Sequence, residues 1–234
     1  MIGIKLGFRG GRARSAADIA AANINSLSPA WWILGDSLSD RSPNARHATN
    51  IVGAEPAAIV DGTDSALQFT GTDGINVSRV GISGSTGFTF WMAFRPDAVS
   101  GTVYPFSIGA LNFAMMWVGT APRIAVASSG NYVQWGALVA GTRYMMLCRF
   151  DGAAGTNTTK CRVRLANVEQ SLSSVGTIPT SIGNTAGGTI GRRSDATGPA
   201  AITVYSAGVI PSVLSDANCD FFDAQMRTIL GWYP

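Results

Sequence analysis

Cysteine, histidine, glutamate and long apolar runs are all scarce in this 234-residue sequence. Three cysteines are too few for a disulfide scaffold, so stability has to come from the core, and assembly under reducing conditions is expected. The single histidine, His47, leaves a serine-based hydrolase only one imidazole to use as its base. The only glutamates, Glu55 and Glu169, are far apart and not on one strand. No stretch approaches the ~20 apolar residues that cross a bilayer, which excludes a spanning helix and predicts a soluble protein with no membrane insertion. The opening MIGIKLGFRGGRARSAAD interrupts its short apolar part with glycines and places its arginines behind that part, so no Sec-type signal peptide is expected. Charged residues make up 13% against 28 glycines, which suits short strands and tight turns better than amphipathic helices. A net charge of +3 is too weak to predict a specific nucleic-acid partner unless the basic residues cluster.

What the sequence does have is period-two alternation. In Gly87 to Pro96, GFTFWMAFRP, Phe88, Phe90, Met92 and Phe94 alternate with Thr89, Trp91, Ala93 and Arg95, predicting a central strand with one dry face and one partly wet face. Such a strand needs a second sheet to pack on. Short strands are predicted at Trp31 to Leu34, Ala57 to Val60, 66–70, 75–80, Val103 to Ile108, Phe113 to Val118, Ile124 to Ser128 and Tyr132 to Gln134, with Gly, Pro and Ser-Ser-Gly-Asn as turns. Asp73-Gly74 reads as the hairpin turn joining 66–70 to 75–80. Near the C-terminus, Thr189 to Arg192 and Ile202 to Ala207 precede a helix capped by Ser215 and stopped by Gly231, with Cys219, Phe222, Met226 and Ile229 on one face.

Residues 1–14 carry Lys5, Arg9, Arg12 and Arg14 with no acid among them, either a solvated tail or a basic arm that orders on a partner. Ser15 then caps a short helix from Ala16 to Asn23, with Asp18 in the capping-box position. Gly35-Asp36-Ser37-Leu38 resembles the nucleophile block of GDSL-type esterases. His47 follows ten residues later rather than near the C-terminus, and no Gly-x-Asn-Asp block follows. The alternative is that Asp36, Ser37, Asp40 and Ser42 are turn formers.

Pairing Arg143 to Phe150 with Thr159 to Ala166 symmetrically about their glycine-rich loop puts Cys148 opposite Cys161, Met146 opposite Val163 and Tyr144 opposite Leu165. Arg143, Arg149, Lys160, Arg162 and Arg164 then share the outward face as a basic stripe with no acid on it. It is either a solvated face or a surface for something acidic, and in the second case charge reversal should change association more than folding. The opposed cysteines are expected to remain free and buried. Tyr132 and Trp135 flank a turn, where they either stack on a sugar or partner, or pack the core or a sheet edge.

In order and spacing, SPAWW, DRSPNARHATN, ALQFTGTDGINV, GFTFWMAFRPD, AGTRYMMLCRFDG, TIGRRS and ITVYSAGVIPSVLSDAN resemble laminin-G-like, concanavalin A-like jelly rolls. The resemblance implies an all-β fold, a two-sheet antiparallel jelly-roll sandwich over 28–234. It would be preceded by a basic N-terminal arm and short helix over 1–27 and would end in the C-terminal helix. Relatives of this kind bind sugars or proteins or serve as structure. Glucanases of the superfamily need paired carboxylates on one strand, which this chain lacks, and no enzymatic activity is expected. Some members bind calcium, for which the Asp61/Asp64 and Asp73 loops are the candidates; no other cofactor is implied. The SPAWW opening and the basic start resemble bacteriophage particle components. They imply a homo-oligomeric capsid-decoration, head-fibre or tail-fibre protein, assembled in the host cytoplasm and resident in the virion. Its partners would be other virion proteins through the arm, and an acidic glycan or host surface. A free carbohydrate-binding lectin-like domain and a GDSL-type esterase are the alternatives.

Overall fold

The computed structural model describes residues 14–53, 55–77, 79–184, 187–193, 195 and 197–233. In chain order its elements begin with α1 (Ala16–Ser26), β1 (Trp31–Leu34), β2 (Thr49–Val52), β3 (Ala57–Asp61), β4 (Asp64–Thr70), β5 (Gly74–Val77) and β6 (Gly87–Pro96). The middle consists of β7 (Thr102–Ile108), β8 (Phe113–Val118), β9 (Ala121–Val126), β10 (Tyr132–Gln134), β11 (Tyr144–Asp151), α2 (Asn157–Lys160) and β12 (Cys161–Leu165). The chain continues with β13 (Val168–Glu169), β14 (Ser173–Val175), β15 (Gly188–Ile190), β16 (Ala201–Ile210) and α3 (Asp216–Ile229). One sheet runs β13-β12-β11-β6-β16-β4-β3, with β1 also on β16; the other runs β14-β10-β9-β8-β7-β15-β5-β2. The pairings are antiparallel, which gives the expected two-sheet jelly-roll sandwich with a helix near each end of the chain.

β6 sits in the middle of the first sheet, between β11 and β16. Its phenylalanines and Met92 enter the core between the sheets, where Phe90 stacks on Phe106 at 4.3 Å and Phe88 meets Phe113 edge-on at 4.9 Å. The opposite face is drier than its alternation suggested, with Arg95 alone of its four residues partly exposed. Trp91 and Ala93 lie in a second apolar layer with Trp32, Ile24 of α1, and Cys219, Phe222 and Met226 of α3. The ring of Phe222 is 4.9 Å from that of Trp91. An aromatic ring buried in this way contributes ~4 kcal/mol from area alone, enough to hold a helix on the sheet. Helix α1 has the Ser15–Asp18 capping box and packs on α3, where Asn23 donates to Gln225 at 2.9 Å. Ser15 and Ser215 cap their helices as expected.

Two expected pairings are corrected. Strands β4 and β5 do not form a hairpin: β4 pairs with β3 and β16, whereas β5 pairs with β15 and β2 in the other sheet. The Asp73 carboxylate accepts from Thr70 N and Oγ1 and from Thr72 N, so the turn carries the chain from one sheet to the other. The hairpin of β11 and β12 is offset by two residues, with Cys148 opposite Val163, Cys161 opposite Phe150 and Met146 opposite Leu165. The cause is α2, a single turn held by the Thr156–Thr159 capping box, which takes up residues assigned to the second strand. A shift of two preserves every facing, so both thiols are buried and free as expected. Burial pushes the Cys161 thiol up to about 12.

At Gly208 of β16 a Cβ would fall on the indole of Trp91 and on Trp32 Cβ. Gly208→Ala is expected to cost on the order of 1–3 kcal/mol through this overpacking. Calorimetry checks it: an unchanged melting temperature would mean that the two tryptophans make room.

Candidate functional site

The outward cations of β11 and β12 are answered within the chain. Arg149 pairs with Asp216 at 2.6 Å and Glu169 at 3.3 Å, and Arg162 pairs with Glu169 at 2.8 Å. Arg164 reaches Asp220 at 2.7 Å, Asp216 at 3.2 Å and Glu169 at 3.3 Å. The acids come from the start of α3 and from β13, so the expected stripe without an acid is the seat of the C-terminal helix. The Lys160 ammonium donates to the Ile178 carbonyl at 2.7 Å. Arg143 reaches Asp61 and Asp64 and lies over the rings of Tyr205 and Trp232, beside a cleft of about 390 Å³ lined by Tyr144, Met145, Leu165 and Trp232. Of the basic arm, Lys5, Arg9 and Arg12 lie outside the described residues, and Arg14 is exposed.

The other sequence candidates also have protein partners. Ser37 Oγ accepts from Ser39 N, and His47 Nδ1 accepts from Asp40 N at 3.1 Å. The Asp40 carboxylate accepts from Trp32 N, Ser42 N and Arg46 N, which makes the segment a structured turn. Of the calcium candidates, Asp61 accepts from Tyr205 and Arg95, Asp64 from Arg143, and Asp73 from Thr70. The Tyr205 hydrogen bond, ahead of the nearby arginines, holds the Asp61 carboxyl below its ordinary value. No group of three or more metal-ligating side chains occurs among the described residues.

The second sheet differs. Helices α1 and α3 cover the outer face of the first sheet, whereas among the described residues no long helix packs on the outer face of the second. Strand register sets Val175, Tyr132, Ala125, Ala114, Ser107 and Thr189 in one row across that face. Ser173, Gln134, Arg123 and Met116 form the next. Neither row contains a carboxylate. The Arg123 guanidinium lies over the Tyr132 ring at 4.2 Å, and it has no hydrogen bond or ion pair among the described residues; its Nε is buried without a partner. The side chains of Gln134, Ser171 and Ser173 likewise have no protein partner there. Beside them opens a cleft of about 360 Å³ lined by Gln134, Trp135, Ser171, Leu172 and Ser173. Trp135 is 4% exposed, and its indole N–H is buried without a partner. The two expected aromatic candidates therefore separate, Tyr132 onto the open face and Trp135 into the core at the cleft wall. Arg123 and Gln134 were not singled out in the sequence. The Ser-Ser-Gly-Asn turn between their strands was the available signal, because hairpin register places them opposite each other.

No protein-family model matches the sequence, and no curated protein matches it. Among solved structures, the chain is similar to domain 4 of AbnA, a GH43 extracellular arabinanase from Geobacillus stearothermophilus, in complex with arabinotriose. The TM-score is 0.64 at 14% identity over 84% of this chain and 97% of that one. It is also similar to the binding domain of botulinum neurotoxin serotype G, with a TM-score of 0.60 at 8% identity, covering 85% of this chain and 50% of that one. A Trypanosoma rangeli sialidase matches with a TM-score of 0.57 at 13% identity over 86% of this chain and 32% of its own. The chain thus spans about half of the toxin binding domain and about a third of the sialidase. These likenesses establish a shared β-sandwich fold.

Two outcomes follow for the ion-pair cluster. The Arg164 side chain is 11% exposed, so Arg164→Glu, which sets a fourth carboxylate beside three others, is expected to cost on the order of 3 kcal/mol. Arg162→Glu, at a side chain 40% exposed, should cost less than ~1 kcal/mol. Denaturant melts of the two variants check this, and equal losses would refute it. The Arg149 hydrogen bond holds the Asp216 carboxyl below its ordinary value. A carboxyl whose folded value is depressed contributes stability that is present above its unfolded value, about 3.9, and disappears as pH falls through the folded one. Asp216→Asn should therefore be less stable than the parent at pH 7 and indistinguishable from it at the lowest pH at which both still fold. A stability gap that persists there would count against the pairing.

Proposed function

We propose that this chain is a non-catalytic, lectin-like binding module whose working surface is the part of the second sheet's outer face formed by β9, β10 and β14, around Arg123, Tyr132, Gln134 and Ser173. One observation carries the reading. An amide and two hydroxyls without a side-chain hydrogen bond among the described residues, those of Gln134, Ser171 and Ser173, line one cleft, and the Arg123 guanidinium, without an ion pair, stands on the strand position opposite Gln134. Binding sites concentrate polar groups that the fold leaves unsatisfied beside apolar walls, and 360 Å³ lies within the range of small-ligand pockets. Hydroxyl and amide side chains both donate and accept, which suits a polyhydroxylated ligand. The relative in complex with arabinotriose lends this reading fold context. The non-catalytic part is supported by Ser37 and His47, each of which is engaged with backbone of its own turn.

The finer reading places the module in a bacteriophage particle, as a capsid-decoration or fibre component attached through residues 1–14. Its support is the sequence resemblance described above and the run of basic residues without an acid. Co-sedimentation with a large particle, reduced on deletion of residues 1–14, tests that placement; a truncated chain that is incorporated normally would refute it.

A glycan array probed with the full chain tests the binding reading. Captured sugars should lose at least tenfold in affinity on Tyr132→Ala or Gln134→Ala, with melting temperatures near that of the parent. Glycan capture that is indifferent to both variants would move the site elsewhere, and an array without a single captured sugar would overturn the lectin-like reading.

A further inference from the structure

The reading of the second sheet's outer face as a glycan surface underlies this inference. We infer that Arg123 makes the site selective for acidic sugars, those that carry a carboxylate as in uronic or sialic acids. Charge accounting over the fold distinguishes this residue. Arg95, Arg143, Arg149, Arg162, Arg164 and Arg193 each form an ion pair with a carboxylate of the chain. Among the described residues Arg123 does not, and neither do Arg14, Arg41, Arg46, Arg79 or Arg227; among these Arg123 is the one whose Nε is buried without a partner, and its guanidinium rests on the Tyr132 ring. That ring orients the guanidinium without neutralising it, since the attraction is to the ring quadrupole.

The geometry favours an incoming anion. The Arg123 Nε is buried without a partner, so the donors left for a ligand are the two terminal nitrogens, which fork in the way a carboxylate accepts. The neighbouring rows of the face contain no carboxylate that would compete for them or repel the ligand. Gln134 stands directly opposite Arg123 across the β9–β10 pair, and Ser173 stands opposite Gln134 on β14. A sugar whose carboxylate meets Arg123 thus has its ring hydroxyls over an amide and a serine, with the Trp135 and Leu172 wall of the cleft beyond. An acidic peptide would meet the same cation, but the row of hydroxyl and amide groups leading away from it matches the hydroxyls of a saccharide better than a polypeptide backbone.

The test titrates the full chain by calorimetry with two matched pairs, an oligouronate against its carboxyl-reduced neutral form and sialyllactose against lactose. The expected result is at least tenfold tighter binding of the acidic member of one pair, which also identifies the source of the carboxylate. That preference should weaken as salt is raised. Arg123→Gln should reduce the preference to less than twofold while retaining the parent's melting temperature. Equal binding of both members by the parent, or a preference that survives Arg123→Gln, overturns the inference and leaves the glycan-binding reading standing. Absence of binding to all four sugars, or binding only to a polyglutamate peptide included as a control, overturns both.

Discussion

The structure depends on one strand being dry on both faces. Because β6 lies between β11 and β16, its phenylalanine face and its Trp91 face are both closed to water, the first by the second sheet and the second by the helices. The rest of the architecture follows from satisfying both faces. The second sheet covers one side. On the other, α3 has to lie where Phe222 meets Trp91, and β16 has to carry a glycine at position 208 so that Trp91 and Trp32 can fill the space above it.

Electrostatics then sets where the helix docks. Three arginines on two neighbouring strands, Arg149, Arg162 and Arg164, would repel one another if left alone. Asp216 and Asp220 sit in the first turns of α3, where the positive end of the helix also favours them, and Glu169 closes the network from β13. Arg149 and Arg164 are largely buried by this arrangement, and a buried guanidinium that already has two or three carboxylates has little reason to bind a third party. The sheet that receives the helices has thus spent its charge internally. On the sheet without long helices, Arg123 has no ion pair among the described residues.

Much of the architecture was legible in the residues. Alternation located β6, β8 and β10, the serine caps marked both long helices, and the spacing of Cys219, Phe222 and Met226 gave the buried face of α3. Local signals misled where a turn had two possible continuations. Asp73-Gly74 has the composition of a hairpin turn, yet the Asp73 carboxylate folds back on Thr70 and Thr72 and sends the chain to the other sheet. The four-residue α2 shifted the β11–β12 register by two, an even number that left every inward residue inward and so kept the core assignment intact. Of the candidate site, Tyr132 and Trp135 were visible and Arg123 was not.

By itself the sequence determined the period of each strand, the ends of the long helices and which side chains on a strand share a face, because these depend on neighbours a few residues apart. Only the tertiary structure decided which outward faces stay outward. Arg164 and Asp220 are 56 residues apart, and nothing local says that they meet. Arg123 and Gln134 belong to one hairpin, but whether that hairpin would end up under a helix or open to solvent depended on which sheet α3 covered. The long-range match between Trp91 and Phe222 settled that, and with it which cations met the carboxylates of α3.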